Sequence, residues 1–284
     1  MGEERPKNGK PLDIELAEKA VAKIVNVLSR YRDGVVLIGG WVTRLVTEED
    51  TEYDYIGTTD IDLMTSVKSS SPKRVRAFFE EIYDIGVYKD SSDEPFRARI
   101  DVDGKPVFID FLVPDDEKTV IKTLQLGGIE PEELIGGALV RDTNGIAIIP
   151  PGIPTDAAEP VFITVPKPHI AIVLKGLALG HRDNPKDAYD LYFLLRNYPG
   201  GIEKAVADLR GLLHHPVVIP SIRYINDAFS EINSKQITDV TDQIAPQLGT
   251  GAEKRESVKN DIYYRVQKFL ELIYPFIEGE PDEG

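Results

Sequence analysis

Apolar positions along the chain change their spacing several times, and each change marks an element. Ile14, Ala17, Val21, Ile24 and Leu28 recur every three or four residues. That spacing predicts an amphipathic helix over 13–31, with Asp13 as its N-cap. The run Val35-Val36-Leu37-Ile38 is short, wholly apolar and bounded by Gly34 and Gly39, which predicts a buried strand. A short helix is expected from Trp41 to Val46. Residues 47–59 (TEEDTEYDYIGTT) form a polar, acidic connection, and Asp60–Met64 alternates in the manner of a half-buried strand. A helix is expected over 73–83 with Pro72 near its first turn. Strands over Phe96–Val102 and Pro106–Val113 flank Asp103-Gly104, a hairpin signal. Gly, Pro and acidic residues dominate 115–160 and predict only short strands or turns.

From Pro168 onward the pattern is helical, over about 169–180, 186–197, 202–212, 217–231 and 254–275. In the last of these Val258, Ile262, Val266, Phe269 and Ile273 share one face. Strands and helices mixed first, then helices only, predict an α+β domain over 1–166 followed by a helical domain over 167–284. No internal repeat is evident.

Composition narrows the function classes. The absence of Cys excludes disulfides, thiolate zinc sites and a Cys nucleophile. No apolar run approaches the ~18 residues of a membrane span, and MGEERPKNGK lacks an apolar signal core, so a cytoplasmic protein without membrane attachment is expected. The net charge of −15 is unevenly spread: residues 1–166 hold 19 basic and 31 acidic side chains, and residues 167–284 hold 14 and 17. Phosphate binding needs a positive field, so a broad nucleic-acid-coating surface is not expected, whereas a compact positive pocket is compatible with this balance.

Four features carry candidate chemistry. Gly39-Gly40, between a strand and a helix, is either a tight turn or a place where backbone N–H groups approach phosphate. Asp60 and Asp62, two apart on a strand, project to one side; they form a solvated face or bind a cation such as Mg²⁺, which prefers oxygen ligands. Asp110 sits inside an apolar strand, where an unpaired carboxylate is costly. It either joins the other two as a third carboxylate or reaches solvent or an Arg. Lastly, residues 167–186 carry four basic side chains against one acid, Asp183. Lys175, Arg182 and Lys186 lie there, just before Asp187 and Asp190, which share a helix face. These residues bind phosphates or form ordinary ion pairs. His214-His215 before Pro216 reads as a helix end, and Trp41 as a packing residue.

The order of these features resembles the nucleotidyltransferase fold of the DNA polymerase β superfamily. Leu37-Ile38-Gly39-Gly40-Trp41, Thr59-Asp60-Ile61-Asp62-Leu63 and Phe108-Ile109-Asp110-Phe111 match its three signature segments. Lys175, His181-Arg182 and Lys186-Asp187-Ala188-Tyr189-Asp190-Leu191 resemble the corresponding region of AbiEii/AbiGii-type toxins of type IV toxin–antitoxin systems. Lys186 stands where that family usually has Arg, and Tyr55-Ile56-Gly57 where a basic residue often precedes Asp-x-Asp. The resemblance implies a nucleotidyltransferase-type mixed sheet with flanking helices, and a helical domain that completes the active-site cleft. It implies transfer of NMP from an NTP to a hydroxyl acceptor, notably RNA or tRNA, with a cognate antitoxin as partner. Asp60, Asp62 and Asp110 would hold two Mg²⁺ ions and act in catalysis with Lys175 and Asp187. Gly39, Gly40, Thr43, Lys175, Arg182, Lys186 and Asp190 would contact the nucleotide. Small-molecule or protein acceptors, and a catalytically silent nucleotide-binding module, are the alternatives.

Overall fold

The computed structural model describes residues 12–48, 54–124, 126–149, 153, 159–248 and 252–278. The chain divides into two units: Met1–Leu45 with Gly57–Pro166, and Val46–Ile56 with Lys167–Gly284. Residues 46–56 thus group with the helical part of the chain.

Unit 1 is α+β. Helix α1 (Leu12–Arg30) leads to β1 (Val35–Ile38), α2 (Gly40–Val46), β2 (Ile61–Thr65), α3 (Pro72–Asp84), β3 (Val87–Lys89), β4 (Arg97–Val102) and β5 (Lys105–Pro114). After these come α4 (Lys118–Lys122), β6 (Glu132–Leu134), α5 (Gly137–Thr143), β7 (Gly145–Ile148) and β8 (Phe162–Val165). The main sheet is mixed, in the order β1-β2-β5-β4-β3 with β6 also pairing β5; β7 and β8 form a separate antiparallel pair. The pair β2–β5 is parallel, while β1–β2 and β4–β5 are antiparallel.

Register assigns each side chain to a face, because alternate residues of a strand point oppositely. Ile61, Leu63, Ile109 and Phe111 share one face and are fully buried. Helix α3 covers that face: Phe79 and Phe78 set their rings 4.7 and 6.4 Å from Phe111. The apolar stripe of α1, including Ala17, Val21, Ile24 and Leu28, is buried as its spacing predicts. The chain turns between β4 and β5 at Asp103 (φ 51°) and Gly104 (φ 77°). Two consecutive positive φ angles are those of a type I′ hairpin turn, and this turn sets the β4–β5 register.

Several details differ from the sequence reading. Asp13 lies within the first turn of α1 rather than capping it, where its charge still favours the helix dipole. Asp60 precedes β2 rather than opening it, and β4 begins at Arg97 rather than Phe96. Residues 115–160 include two short helices, α4 and α5, as well as short strands. Strand β3 has no counterpart in the sequence reading because three residues are too few to show a period.

Unit 2 is helical, with α6 (Pro168–His181), α7 (Pro185–Arg196), α8 (Gly201–Arg210), α9 (Val218–Ala228), α10 (Lys235–Leu248) and α11 (Ala252–Glu278). Helix α7 is buried from Asp187 to Leu195, so it is central and its neighbours α6, α8, α10 and α11 surround it. The expected face of α11 is buried. Helix α10 was not anticipated, although Ile237, Val240, Thr241 and Ile244 are buried at helical spacing. No described helix is long and apolar enough to cross a membrane.

Removing the Phe111 ring takes away a side chain clamped between two others. Phe111→Ala is expected to cost about 3–5 kcal/mol of stability, read by urea unfolding; a loss below about 1 kcal/mol would contradict the packing described.

Candidate functional site

The parallel register that buries Phe111 also places Asp62 opposite Asp110. Partners across a parallel pair project to the same side, and Asp60 is two residues from Asp62. Asp62 and Asp110 therefore share the face turned away from α3, and Asp60, just before β2, is near enough for its charge to act on Arg97. Asp60 is exposed, while Asp62 and Asp110 are half-buried.

The turn after β1 is fitted to this face. Gly39 has φ +72°, and a Cβ built on it would fall 1.8 Å from Asp62 Oδ2. Only glycine adopts that backbone at little cost and also leaves room for the carboxylate. Helix α2, which follows, is only seven residues long. It buries Gly40, Trp41 and Thr43, so the Thr43 side chain faces the core. Trp41 packs as expected, with the Arg44 guanidinium 5.6 Å from its ring centre. Arg44 also pairs with Glu18 of α1 at 2.5 Å, tying the turn to the first helix.

Asp110 has a partner that the sequence reading did not name. Arg97 Nε donates to Asp110 Oδ1 at 2.7 Å, and Arg97 Nη2 donates to Oδ2 at 2.8 Å. The two residues are direct cross-strand neighbours in the β4–β5 ladder. The hydrogen bonds to Asp110 hold the Arg97 pKa above its ordinary value against the opposing effect of burial, with help from the charges of Asp110, Glu94 and Asp60. Counting back from the Asp103-Gly104 turn pairs position 97 with 110, so the signal for this contact was present in the sequence.

Oxygen ligands on a single face suit a hard cation such as Mg²⁺, and Asp60 with Asp62 offer them. The set is nonetheless incomplete as it stands. Both oxygens of Asp110 are engaged by Arg97, and among the described residues no group of three or more His, Asp or Glu is placed to hold a metal ion.

Unit 2 gathers the other candidates. Asn184 caps α7, its Oδ1 accepting from the Lys186 amide at 3.0 Å, and Pro185 occupies the first turn. This start points Asp187 and Asp190 inward toward α6. Lys175 Nζ lies 2.9 Å from Asp187 Oδ1 and 2.6 Å from Asp190 Oδ2. Arg182 grips Asp187 with two nitrogens at 2.7 and 2.9 Å, and Lys186 Nζ is 2.7 Å from Asp190 Oδ1. Tyr55 is a member that sequence reasoning missed. Its hydroxyl donates to Asp190 Oδ1 at 2.6 Å and accepts from Lys186 at 2.6 Å. Its ring lies against Phe193 and Tyr189. The signal was an aromatic residue within an otherwise acidic connection.

Burial and charge oppose one another throughout this network. Burial disfavours a charged Lys175, yet Asp190 and Asp187 outweigh it and push its pKa up to about 12. Burial likewise opposes ionised Asp190, but the Lys175 and Lys186 charges hold it below its ordinary 3.8. Lys186 is the exception: burial prevails and lowers its pKa.

Two predictions follow from these geometries. Gly39→Ala is expected to lose about 1–2 kcal/mol from its left-handed backbone alone, seen as a lower urea midpoint; an unchanged midpoint would contradict the fit against Asp62. Asp190→Asn leaves Lys175 and Lys186 with one carboxylate fewer in a buried network, so a deficit of about 3–5 kcal/mol at pH 7 is expected. Because the folded-state pKa of Asp190 is depressed, its stabilisation is present above 3.8 and disappears as the pH falls below that value. The deficit of the variant in thermal unfolding therefore narrows below that pH, and a pH-independent deficit would contradict the ion pair.

No family model, curated protein or solved structure matches the chain, so its functional reading rests on the residues themselves.

Proposed function

We propose that the protein is a Mg²⁺-dependent nucleotidyltransferase that moves NMP from an NTP to a hydroxyl acceptor and releases pyrophosphate. The observation that carries this reading is the shared register of Asp62 with Asp110, beside a Gly39 turn shaped around the Asp62 carboxylate. The resemblance of the three segments around these residues supplies the reaction class.

Asp60 and Asp62 are the residues that would hold Mg²⁺, and the ion's chemistry is to neutralise phosphate charge and stabilise attacking and leaving oxygens. In the reaction the acceptor oxygen forms a bond to the α-phosphorus while the bond to the pyrophosphate oxygen breaks. A carboxylate on this face accepts the hydroxyl proton. The Gly39-Gly40 turn provides close backbone approach for the triphosphate. The resemblance assigns Lys175, Arg182 and Lys186 to the nucleotide. Within unit 2 these three cations are gathered around Asp187 and Asp190.

RNA, notably tRNA, is the acceptor that the resemblance favours, within a toxin–antitoxin pair. A small-molecule or protein hydroxyl is the second reading. The excess of 31 acidic over 19 basic side chains in residues 1–166 favours it, since a polyanion would be repelled outside the pocket.

Incubation with each of four α-³²P-labelled NTPs, Mg²⁺ and total cellular RNA separates these readings. Label is expected in RNA, reduced at least about a hundredfold in Asp60→Ala/Asp62→Ala. Label on a small molecule or protein, lost in the same variant, would replace RNA as acceptor. NTP consumption that persists in the variant, or none in either protein, would overturn the proposal.

A further inference from the structure

Arg97 has two carboxylate partners. Nε and Nη2 hold Asp110, while Nη1 pairs with Glu94. Glu94 is tethered close by whatever the guanidinium does, because the Arg97 amide donates to the Glu94 carbonyl at 3.2 Å. The Phe108 and Phe96 rings lie 5.3 and 5.8 Å from the guanidinium carbon and cradle it along the strand. Side-chain exposures are 14% for Asp110, 25% for Arg97 and 44% for Glu94. The guanidinium thus stands between an inner and an outer acid on a path that opens toward solvent.

We propose that Arg97 is a displaceable counter-ion of Asp110: a divalent cation recruits Asp110 to Asp60 and Asp62 only as Arg97 shifts its hold to Glu94. This rests on the reading of Asp60 and Asp62 as cation ligands, and it accounts for the absence of a converged three-carboxylate group among the described residues. A carboxylate whose two oxygens both accept from one guanidinium has one lone pair of each oxygen taken, and the guanidinium charge opposes a second cation at those that remain. Exchange needs an alternative acceptor for the displaced charge, and Glu94 provides it without a backbone rearrangement. Arg97 is on this account a positioning residue, setting when Asp110 is available.

The test is Mn²⁺ binding to the full chain, followed by electron paramagnetic resonance with no nucleotide present. The Arg97 charge held against Asp110 opposes a metal ion there by direct repulsion. Arg97→Gln is therefore expected to bind Mn²⁺ at least about tenfold more tightly than wild type. Arg97→Lys, which keeps the charge but loses the fork, is expected to fall between them. Glu94→Gln, at an exposed position, is expected to bind several-fold more weakly. It also keeps the proposal testable if Arg97→Gln does not fold. All of these differences should vanish in an Asp110→Asn background. If Mn²⁺ binds wild type and is lost in Asp62→Asn, yet is unaffected or weakened by the Arg97 substitutions, the displacement is overturned and the nucleotidyltransferase reading survives. If no variant binds Mn²⁺, both fall. The predicted affinities without nucleotidyl transfer would uphold the displacement and leave the reaction class to be replaced.

Discussion

Much of what is distinctive in this protein depends on how two strands that are distant in sequence are aligned. β2 and β5 run parallel with Asp62 across from Asp110 and Leu63 across from Phe111. A strand alternates its side chains, so a slip of one residue would send carboxylates into the aromatic layer and Phe111 to the opposite face. The burial of Phe111 against Phe78 and Phe79 is thus the force that holds the acids in place. Stability and the candidate chemistry are written on opposite faces of the same pair of strands.

Two charge clusters in the chain meet the cost of concentrating carboxylates in different ways. In unit 2, Asp187 and Asp190 are buried and surrounded by Lys175, Lys186 and Arg182, with Tyr55 closing the network. Removing one partner there leaves charge in a medium that solvates it poorly, so that cluster is rigid by construction. In unit 1, Asp110 is partly accessible and its counter-ion already touches a second acid. Exchange is inexpensive in such a place because the displaced guanidinium keeps a partner. The difference follows from burial rather than from residue type.

Much of this was legible in the sequence. The three-and-four spacing of α1, the apolar run of β1 and the Asp103-Gly104 turn were each local signals with a physical cause. Asp60 and Asp62 were singled out as two carboxylates on one side of a strand, and Asp110 as a single acid within an apolar one. Of the alternatives left open for Asp110, a third ligand or a strand-end acid reaching solvent or an Arg, the structure shows the Arg contact: it is paired with Arg97 and lies across from Asp62. That pairing was derivable from the hairpin register, but only by following the ladder from its turn. Tyr55 was not derivable in this way, because its contact with Asp190 spans 135 positions and depends on how helices pack. Helix α10 had the spacing of a helix, but its polar residues and Pro246 obscured it.

The most direct test of the account is a crystal structure of the protein with Mn²⁺ and a non-hydrolysable NTP analogue, read by anomalous scattering. The account predicts a Mn²⁺ peak against Asp60 and Asp62, the triphosphate beside the Gly39-Gly40 turn, and Arg97 turned from Asp110 to Glu94. A nucleotide bound elsewhere, or no metal at these carboxylates with Arg97 still holding Asp110, would contradict it.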